Sequence, residues 1–179
     1  SILKGLLDSE NALKVKANNR EYVSKGVQTK IDYHWYGDNN SFNDLEIGLR
    51  VHYDEEDRFQ WEDKYSITNG SMSLHSYGDK GSQGNRISSA NSFASYIMYK
   101  YKIKGFTVSP GLRYESITLT RDDFGENNPL RNINDLTSRE NKVSVFIPGI
   151  RVNYTINNKF SIFGVIHKGY SPPGSYISK

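Results

Sequence analysis

The sequence lacks most of the features that mark common classes of protein. It contains no cysteine, which excludes disulfide bonds and thiolate metal sites. Lysine, serine or glycine interrupts every apolar stretch within a few residues, whereas a membrane-spanning helix needs roughly 20 apolar residues in succession. The formal net charge of +3 over 179 residues is too small for a nucleic-acid-binding surface. A helical membrane protein and a nucleic-acid partner are therefore excluded.

The short motifs of catalysis and metal binding are also missing. No nucleophile elbow, phosphate-binding loop, zinc motif or pair of catalytic carboxylates is present. The four histidines are scattered without metal-ligand spacing, and a structural or solvated role is favoured over haem or metal binding. They are His34, His52, His75 and His167. We therefore predict no enzyme, no cofactor and no metal site.

Alternation of apolar and polar residues with a period of two is the main pattern that is present. It is clearest at Tyr22–Trp35 and Asp44–Tyr53, where one set of alternate positions is mostly apolar and the other is polar. Such alternation predicts β-strands with one polar face. Further strands are predicted at Lys64–Ser76, Ser92–Lys104, Phe106–Thr120, Lys142–Thr155 and Phe160–Tyr170.

The connections between these strands alternate between short and long. Short turns are predicted near Gly37, Gly105 and Asn158, polar loops at 54–63, 77–91 and 121–141, and an end to the last strand at Ser171-Pro172-Pro173-Gly174. The strands are also longer than those of most soluble sheets. This layout predicts an all-β fold, an antiparallel meander from a transmembrane β-barrel with about six or seven of its strands. A soluble antiparallel β-sandwich shows the same alternation and is the alternative.

Several segments resemble strands of the TonB-dependent receptor family, in the order and spacing of that family. They are Asn18–Tyr22 with Gly26-Val27, Phe106–Glu115, Ile147–Tyr154, and Phe160–Gly164 with Lys168–Pro173. Together they cover most of residues 18–174. The resemblance implies a bacterial outer-membrane barrel of about 22 strands, an N-terminal plug domain, and energy supplied through TonB.

The same resemblance implies domain organisation and partners. Residues 1–179 are expected to be part of the barrel domain, with the plug domain absent. The run Arg50–Trp61 is most similar to the ferric dicitrate receptor branch, and related branches take haem, other siderophores, or nickel and cobalt chelates. The implied partners are a ferric chelate, TonB through the missing plug, and outer-membrane lipid and lipopolysaccharide.

Arg58, Gln60 and Trp61 are the candidate ligand-binding residues, in a loop that we expect to face the outside of the cell. A guanidinium suits a citrate carboxylate because the two planar groups make a pair of parallel hydrogen bonds. Alternatively, Arg58 only balances the preceding acidic run at residues 54–57 on a solvated loop. That run either binds a hard cation such as Ca²⁺ or, as we favour, is simply solvated.

Another set of polar residues lies at the alternate positions expected to face the barrel lumen. These lumen-facing candidates are Arg50, His52, Arg113, Glu115 and Arg151. They either hold the plug by salt bridges or form a hydrogen-bond network between adjacent strands, and both roles are structural. The function predicted overall is capture and import of a ferric chelate. The alternatives are a porin-like or adhesive outer-membrane barrel and a soluble β-sandwich that binds carbohydrate.

Overall fold

Seven β-strands account for most of the residues described by the computed structural model, which are Lys4 and 7–171. The strands are β1 (Ser9–Gly37), β2 (Ser41–Thr68), β3 (Ser71–Ser76), β4 (Gly84–Ile103), β5 (Phe106–Asp123), β6 (Thr137–Asn157) and β7 (Phe160–His167). Short 3₁₀ segments occupy Asp38–Asn40 and Ile133–Asp135. Among the described residues, no helix is long and apolar enough to cross a membrane. The predicted strand end at residues 172–174 lies outside them.

The strands form one sheet, and apart from β3 they lie side by side in the order of the sequence. The order is β1-β2-β4-β5-β6-β7, and β3 pairs with β2 beside this path. The pairings of β2 with β3 and of β6 with β7 are antiparallel. The predicted antiparallel meander of a partial barrel is therefore confirmed.

The chain divides into two compact units. Unit 1 comprises Ser1–Val23, Asp54–Ser89 and Thr120–Glu140. Unit 2 comprises Ser24–Tyr53, Ala90–Leu119 and Asn141–Lys179. Because β1, β2, β4, β5 and β6 are long, each contributes residues to both units.

In unit 1, the segment predicted as a charged loop is a strand. β2 continues through residues 54–63 to Thr68, so the loop prediction there is wrong. The acidic run can form a strand because neighbouring carboxylates bind different cations. Glu56 lies 3.1 Å from Arg20, and Asp57 binds Arg131. The strand predicted at 64–76 is instead interrupted at Asn69-Gly70.

The Asn69-Gly70 turn joins β2 to β3. Both residues have left-handed backbones, with φ of 51° and 76°, which is the conformation that an Asn-Gly hairpin turn requires. A β-bulge follows where the register shifts between Lys64 and Tyr65. The sequence signal for this hairpin was therefore present, although periodicity alone favoured one continuous strand.

The other two predicted long loops of unit 1 are shorter than expected. β3 and β4 both pair with β2, and residues 77–83 form the loop that connects them. The Gly78 amide donates to Asp63 Oδ1 at 2.8 Å, and the Gln83 amide donates to the Gln60 carbonyl at 3.0 Å. Since β5 extends to Asp123 and β6 begins at Thr137, the third loop is reduced to residues 124–136.

Unit 2 carries a continuous apolar face that nothing in the sheet covers. Ile47, Leu49 and Leu112 expose 39%, 45% and 42% of their surface. A β-sandwich would cover this face with a second sheet, whereas all seven strands belong to a single sheet. Within the described residues, the single sheet favours the partial barrel over the soluble sandwich.

The pairing of β6 with β7 extends the same apolar face. Ile150 lies opposite Ile166, and Tyr154 lies opposite Ile162. Facing pairs in antiparallel strands share a side of the sheet, so this register assigns a facing to β7 that the sequence left open.

Candidate functional site

Arg58 and Gln60 lie two residues apart on β2 in unit 1 and therefore share one face of the strand. Gln60 is fully buried, at 0% exposure. Neither atom of its side-chain amide has a hydrogen-bond partner among the described residues, and the buried Arg58 Nε also has none. Buried polar atoms without partners are costly, typically by about 1–3 kcal/mol each. Such atoms are unusual in a folded protein, and they mark a candidate site.

Gly84, at the start of β4, packs closely against these two side chains. A β-carbon built there would lie 3.3 Å from both Arg58 Nε and Gln60 Oε1. The backbone φ of +154° at Gly84 also disfavours a residue with a side chain. The absence of a side chain at residue 84 therefore lets β4 pack closely against a guanidinium and an amide, and we call this contact the notch.

Two further arginines complete what we call the arginine cluster, which consists of Arg58, Arg86 and Arg121. Arg86 Nε is buried without a partner among the described residues. Burial lowers the pKa of Arg86, and the positive charges of Arg121 and Arg58 lower it further. The negative charges of Glu56 and Asp123 act in the opposite direction on the pKa of Arg86.

Two carboxylates offset part of this positive charge. Glu56 Oε1 lies 3.1 Å from Arg20 Nη1, and Asp123 Oδ2 lies 2.9 Å from Arg121 Nη2. The cluster with Arg20 thus places four guanidinium groups beside two carboxylates. The site carries an excess of positive charge and is suited to an anion.

The opposite face of the same strands is built around Arg131, from the connection between β5 and β6. Its Nη1 and Nη2 donate to the two carboxylate oxygens of Asp57 at 2.7 and 2.5 Å. Its Nε donates to Asn85 Oδ1 at 2.9 Å. The guanidinium lies 5.1 Å from the ring centre of Phe59 and 5.3 Å from that of Phe124. We call these five residues the Arg131 latch.

Asn85 and Asn128 fold the connection 124–136 onto unit 1. The Asn85 amide donates to the carbonyls of Gly125 and Asn128, at 3.1 and 2.7 Å. Asn128 Oδ1 accepts from the Asn132 amide at 2.8 Å, and its Nδ2 donates to the Asn132 carbonyl at 2.8 Å. Both Asn85 and Asn128 are buried, so this connection has a defined structure.

The structure brings together two of the three ligand-binding residues predicted from the sequence. Arg58 and Gln60 line the same notch, on a strand rather than the expected loop. Trp61 belongs to the other face, where its ring packs edge-on against Phe59 at 6.1 Å and lies 5.9 Å below Lys80 Nζ. Arg86 and Arg121 were missed because both fell in segments interpreted as loops.

The lumen-facing candidates belong to unit 2, where Arg113 and Arg151 line the same cavity. Arg113 donates to Glu115 Oε1 at 2.5 Å within β5, and Arg50 and Arg151 are exposed. His52 Nε2 lies 3.2 Å from Ser24 Oγ. The assignment of these residues to the lumen stays a prediction.

The polar face of unit 2 also contains an interstrand network that the sequence analysis missed. Glu46 accepts from Tyr96 Oη at 2.6 Å and pairs with Lys30 at 3.4 Å. The Tyr96 ring lies directly over Gly48, where a β-carbon would be 2.1 Å from Tyr96 Cε1. The network joins β1, β2 and β4 and supports a structural role for this face.

No group of three or more histidine, aspartate or glutamate residues could hold a metal ion within the described part of the chain. In the acidic run, Glu56 and Asp57 bind arginines on opposite faces of β2. The two carboxylates therefore diverge, which disfavours a shared calcium ion.

Comparison with known proteins assigns the fold. The model of the TonB-dependent receptor-like β-barrel family matches residues 7–178. The chain belongs to this family. The crystal structure of the ferric citrate transporter FecA in the unliganded form is similar, with a TM-score of 0.61 and 18% identity over 84% of this chain. The chain spans 20% of that structure's length, so this likeness concerns the fold alone. No curated protein matches.

TonB-dependent receptor barrels lie in the bacterial outer membrane, and the predicted location is therefore confirmed. The apolar face of unit 2 agrees with it, because such barrels present an apolar band to hydrocarbon. Aromatic rings lie along that face: the rings of Phe93 and Tyr114 are 6.3 Å apart, and those of Tyr114 and Phe146 are 4.9 Å apart. The family is one of receptors rather than enzymes.

Proposed function

We propose that this chain forms part of the ligand-binding surface of a receptor that captures and imports an anionic ferric chelate. Ferric citrate and carboxylate siderophores fit best, because several carboxylates surround the iron and can meet several guanidinium groups. Import would use TonB-derived energy transmitted through a plug domain, as the family resemblance implies. FecA, described as a ferric citrate transporter, has a similar fold.

The observation that supports an anionic ligand is the set of buried unpaired atoms in the notch. Arg58 Nε, Arg86 Nε and the Gln60 amide nitrogen are donors without partners among the described residues. A chelate carboxylate would accept from them and supply the missing hydrogen bonds. Within the described part of the chain, Gln60 Oε1 is an acceptor without a hydrogen bond, as is Glu56 Oε1, and each would pair with a hydroxyl or a water on the chelate. Binding would also reduce the repulsion within the arginine cluster.

Arg58→Ala and Arg86→Ala test this site. Each should raise the Kd for ferric citrate by about 10- to 100-fold, because a hydrogen bond to a charged group contributes roughly 1.5–3 kcal/mol. The measurement is isothermal titration calorimetry on the receptor purified in detergent. Lys64→Ala removes an exposed cation further along the same strand and should leave the Kd unchanged.

Gln60→Glu separates ligand binding from simple stabilisation. A carboxylate at residue 60 would sit beside Arg58 and Arg86, so the unliganded protein should become more stable while the affinity for ferric citrate falls. A purely structural Gln60 would lose stability in the same variant. If neither arginine variant changes the Kd, the site assignment fails. If the wild type shows no saturable binding of ferric chelates, the porin-like or adhesive barrel is favoured instead.

A further inference from the structure

The geometry of the arginine cluster depends on the alignment of three neighbouring strands. Arg58, Arg86 and Arg121 lie on three different strands, β2, β4 and β5. Their like charges act on one another, as the lowered pKa of Arg86 indicates after the larger effect of burial. Repulsion between side chains on separate strands acts against the backbone hydrogen bonds that pair those strands. Glu56 and Asp123 offset only part of it.

The Arg131 latch joins the same three strand segments from their opposite face. Arg131 binds Asp57 on β2 and Asn85 on β4, and it stacks against Phe124, the residue after the last one of β5. The Phe124 amide also donates to the Asn85 carbonyl at 2.9 Å. One side chain therefore ties together the backbones that carry all three arginines.

Two latch contacts lie one residue away from members of the arginine cluster. Asp57 precedes Arg58, and Asn85 precedes Arg86. Successive side chains of a strand point to opposite faces, so the latch can fix the backbone beneath each arginine without touching a ligand. The hydrogen bond with Asp57, the largest influence, raises the pKa of Arg131, which agrees with a permanently charged, tightly held guanidinium.

We propose that Arg131 is a positioning residue that keeps Arg58, Arg86 and Arg121 assembled before a ligand arrives. A preassembled site binds more tightly because fewer groups must be ordered on binding. The identity of the ligand rests on the proposed function. The assembly of the arginines does not, and it can be measured in the unliganded receptor.

Hydrogen exchange of Arg131→Ala in the unliganded receptor tests the assembly. Exchange should become about tenfold faster at residues 84–89 and 120–123 as well as at 124–136, in line with the free energies by which such contacts couple distant groups. The excess should shrink as salt is raised, because salt screens the repulsion between guanidinium groups. Lys16→Ala removes an exposed cation elsewhere in the same unit and should change neither segment.

A second substitution distinguishes repulsion from simple loss of contacts. Adding Arg86→Gln to Arg131→Ala removes one repelling charge and should restore protection at residues 120–123. Arg131→Lys keeps the charge but loses the two-pronged contact with Asp57, and it should give an intermediate result. Exchange that increases only at 124–136, or an excess that salt does not change, would overturn the proposal.

Ligand binding gives an independent measurement. Arg131→Ala should raise the Kd for ferric citrate by about tenfold, although Arg131 lies on the face opposite the notch. An unchanged Kd together with loosened strands would also overturn the positioning role. If the wild type fails to bind ferric citrate, the proposed ligand is wrong, and the salt-dependent exchange at residues 84–89 and 120–123 still decides whether the latch holds the cluster.

Discussion

Units 1 and 2 share five strands but distribute their charged side chains differently. In unit 2, one face of the sheet is apolar and exposed, as at Ile47 and Leu112, and the charged residues such as Glu46 occupy the other. In unit 1, charged and amide groups occupy both faces: Arg58 lies on one, and Asp57 with Arg131 on the other. Side chains alternate between the two faces of the strands in both units. We therefore attribute the different distribution of charged side chains to the medium that contacts each face.

This difference explains why burial alone describes the two units poorly. In water, the exposed apolar face of unit 2 would be a large unfavourable surface. In contact with hydrocarbon, the same apolar face is favourable, and a charged side chain on it is costly. In unit 1, buried polar groups such as Asn85 are paired, as they are in most folded proteins. The exceptions are the unpaired atoms of the notch.

The largest expected effect comes from a charge placed on the apolar face. Ile47→Arg should destabilise the receptor by about 2–4 kcal/mol, because a guanidinium near the middle of the bilayer loses its hydration. Val15→Arg, on a similarly exposed apolar residue of unit 1, should change stability by less than about 0.5 kcal/mol. Reversible urea unfolding in phospholipid bilayers measures both. Equal costs for the two variants would contradict the assignment of different media.

The sequence predicted unit 2 better than unit 1, for a physical reason. In unit 2 the face of each side chain follows from its position in an alternating run, so local sequence was sufficient for β5 and β6. In unit 1 the stability of the charged part of β2 depends on Arg20 and Arg131, which come from distant parts of the chain. Local sequence contains no signal for such pairs, and the acidic run was therefore interpreted as a loop.

The candidate site was predictable to the same limited extent. The pairing of Arg58 with Gln60 follows from their spacing of two residues, which the sequence shows directly. Arg86 and Arg121 join them only through strand pairing between β2, β4 and β5. The Asn69-Gly70 turn is a local signal in the sequence that β2 continues past Arg58 and then reverses direction. Using it would have predicted that the chain returns beside Arg58.

An intermediate effect is expected from Asn85→Ala in unit 1. The substitution leaves the carbonyls of Gly125 and Asn128 without their donor and removes an acceptor from Arg131. Loss of these buried hydrogen bonds should destabilise the connection 124–136 locally by about 1–3 kcal/mol. Cleavage by a glutamate-specific protease at Glu126 should therefore become faster.

The matched control for that substitution lies in unit 2. The Asn153 amide donates to Thr155 Oγ1 at 3.4 Å on the exposed surface, so Asn153→Ala should leave the cleavage rate unchanged. Equal rates in wild type and Asn85→Ala would show that the connection is held by other contacts, and the central role of Asn85 would be wrong.

The smallest expected effect is a response of unit 1 to acid. Burial acts to raise the pKa of Asp123, but the hydrogen bonds from Arg121 and the Gly125 amide, with the charges of Arg121 and Arg86, lower it overall. A carboxyl group with a lowered folded-state pKa stabilises the protein above its unfolded pKa of about 4, and this stabilisation is lost as pH falls through the folded value. Because the Asp123 side chain is 41% exposed, solvent screening should keep the contribution below about 1 kcal/mol.

Asp123→Asn should therefore loosen residues 120–136 near neutral pH and behave like the wild type in strong acid. Hydrogen exchange, corrected for the pH dependence of intrinsic rates, measures the difference, and Asp79→Asn at an exposed aspartate elsewhere in unit 1 serves as the control. Residues 106–119 of unit 2 should exchange equally in all three proteins, because the change in charge lies outside that unit. A difference between wild type and Asp123→Asn that grows as pH falls would mean that burial, rather than the arginines, decides the pKa of Asp123. That outcome would mean that the site carries less excess positive charge than its four arginines and two carboxylates indicate.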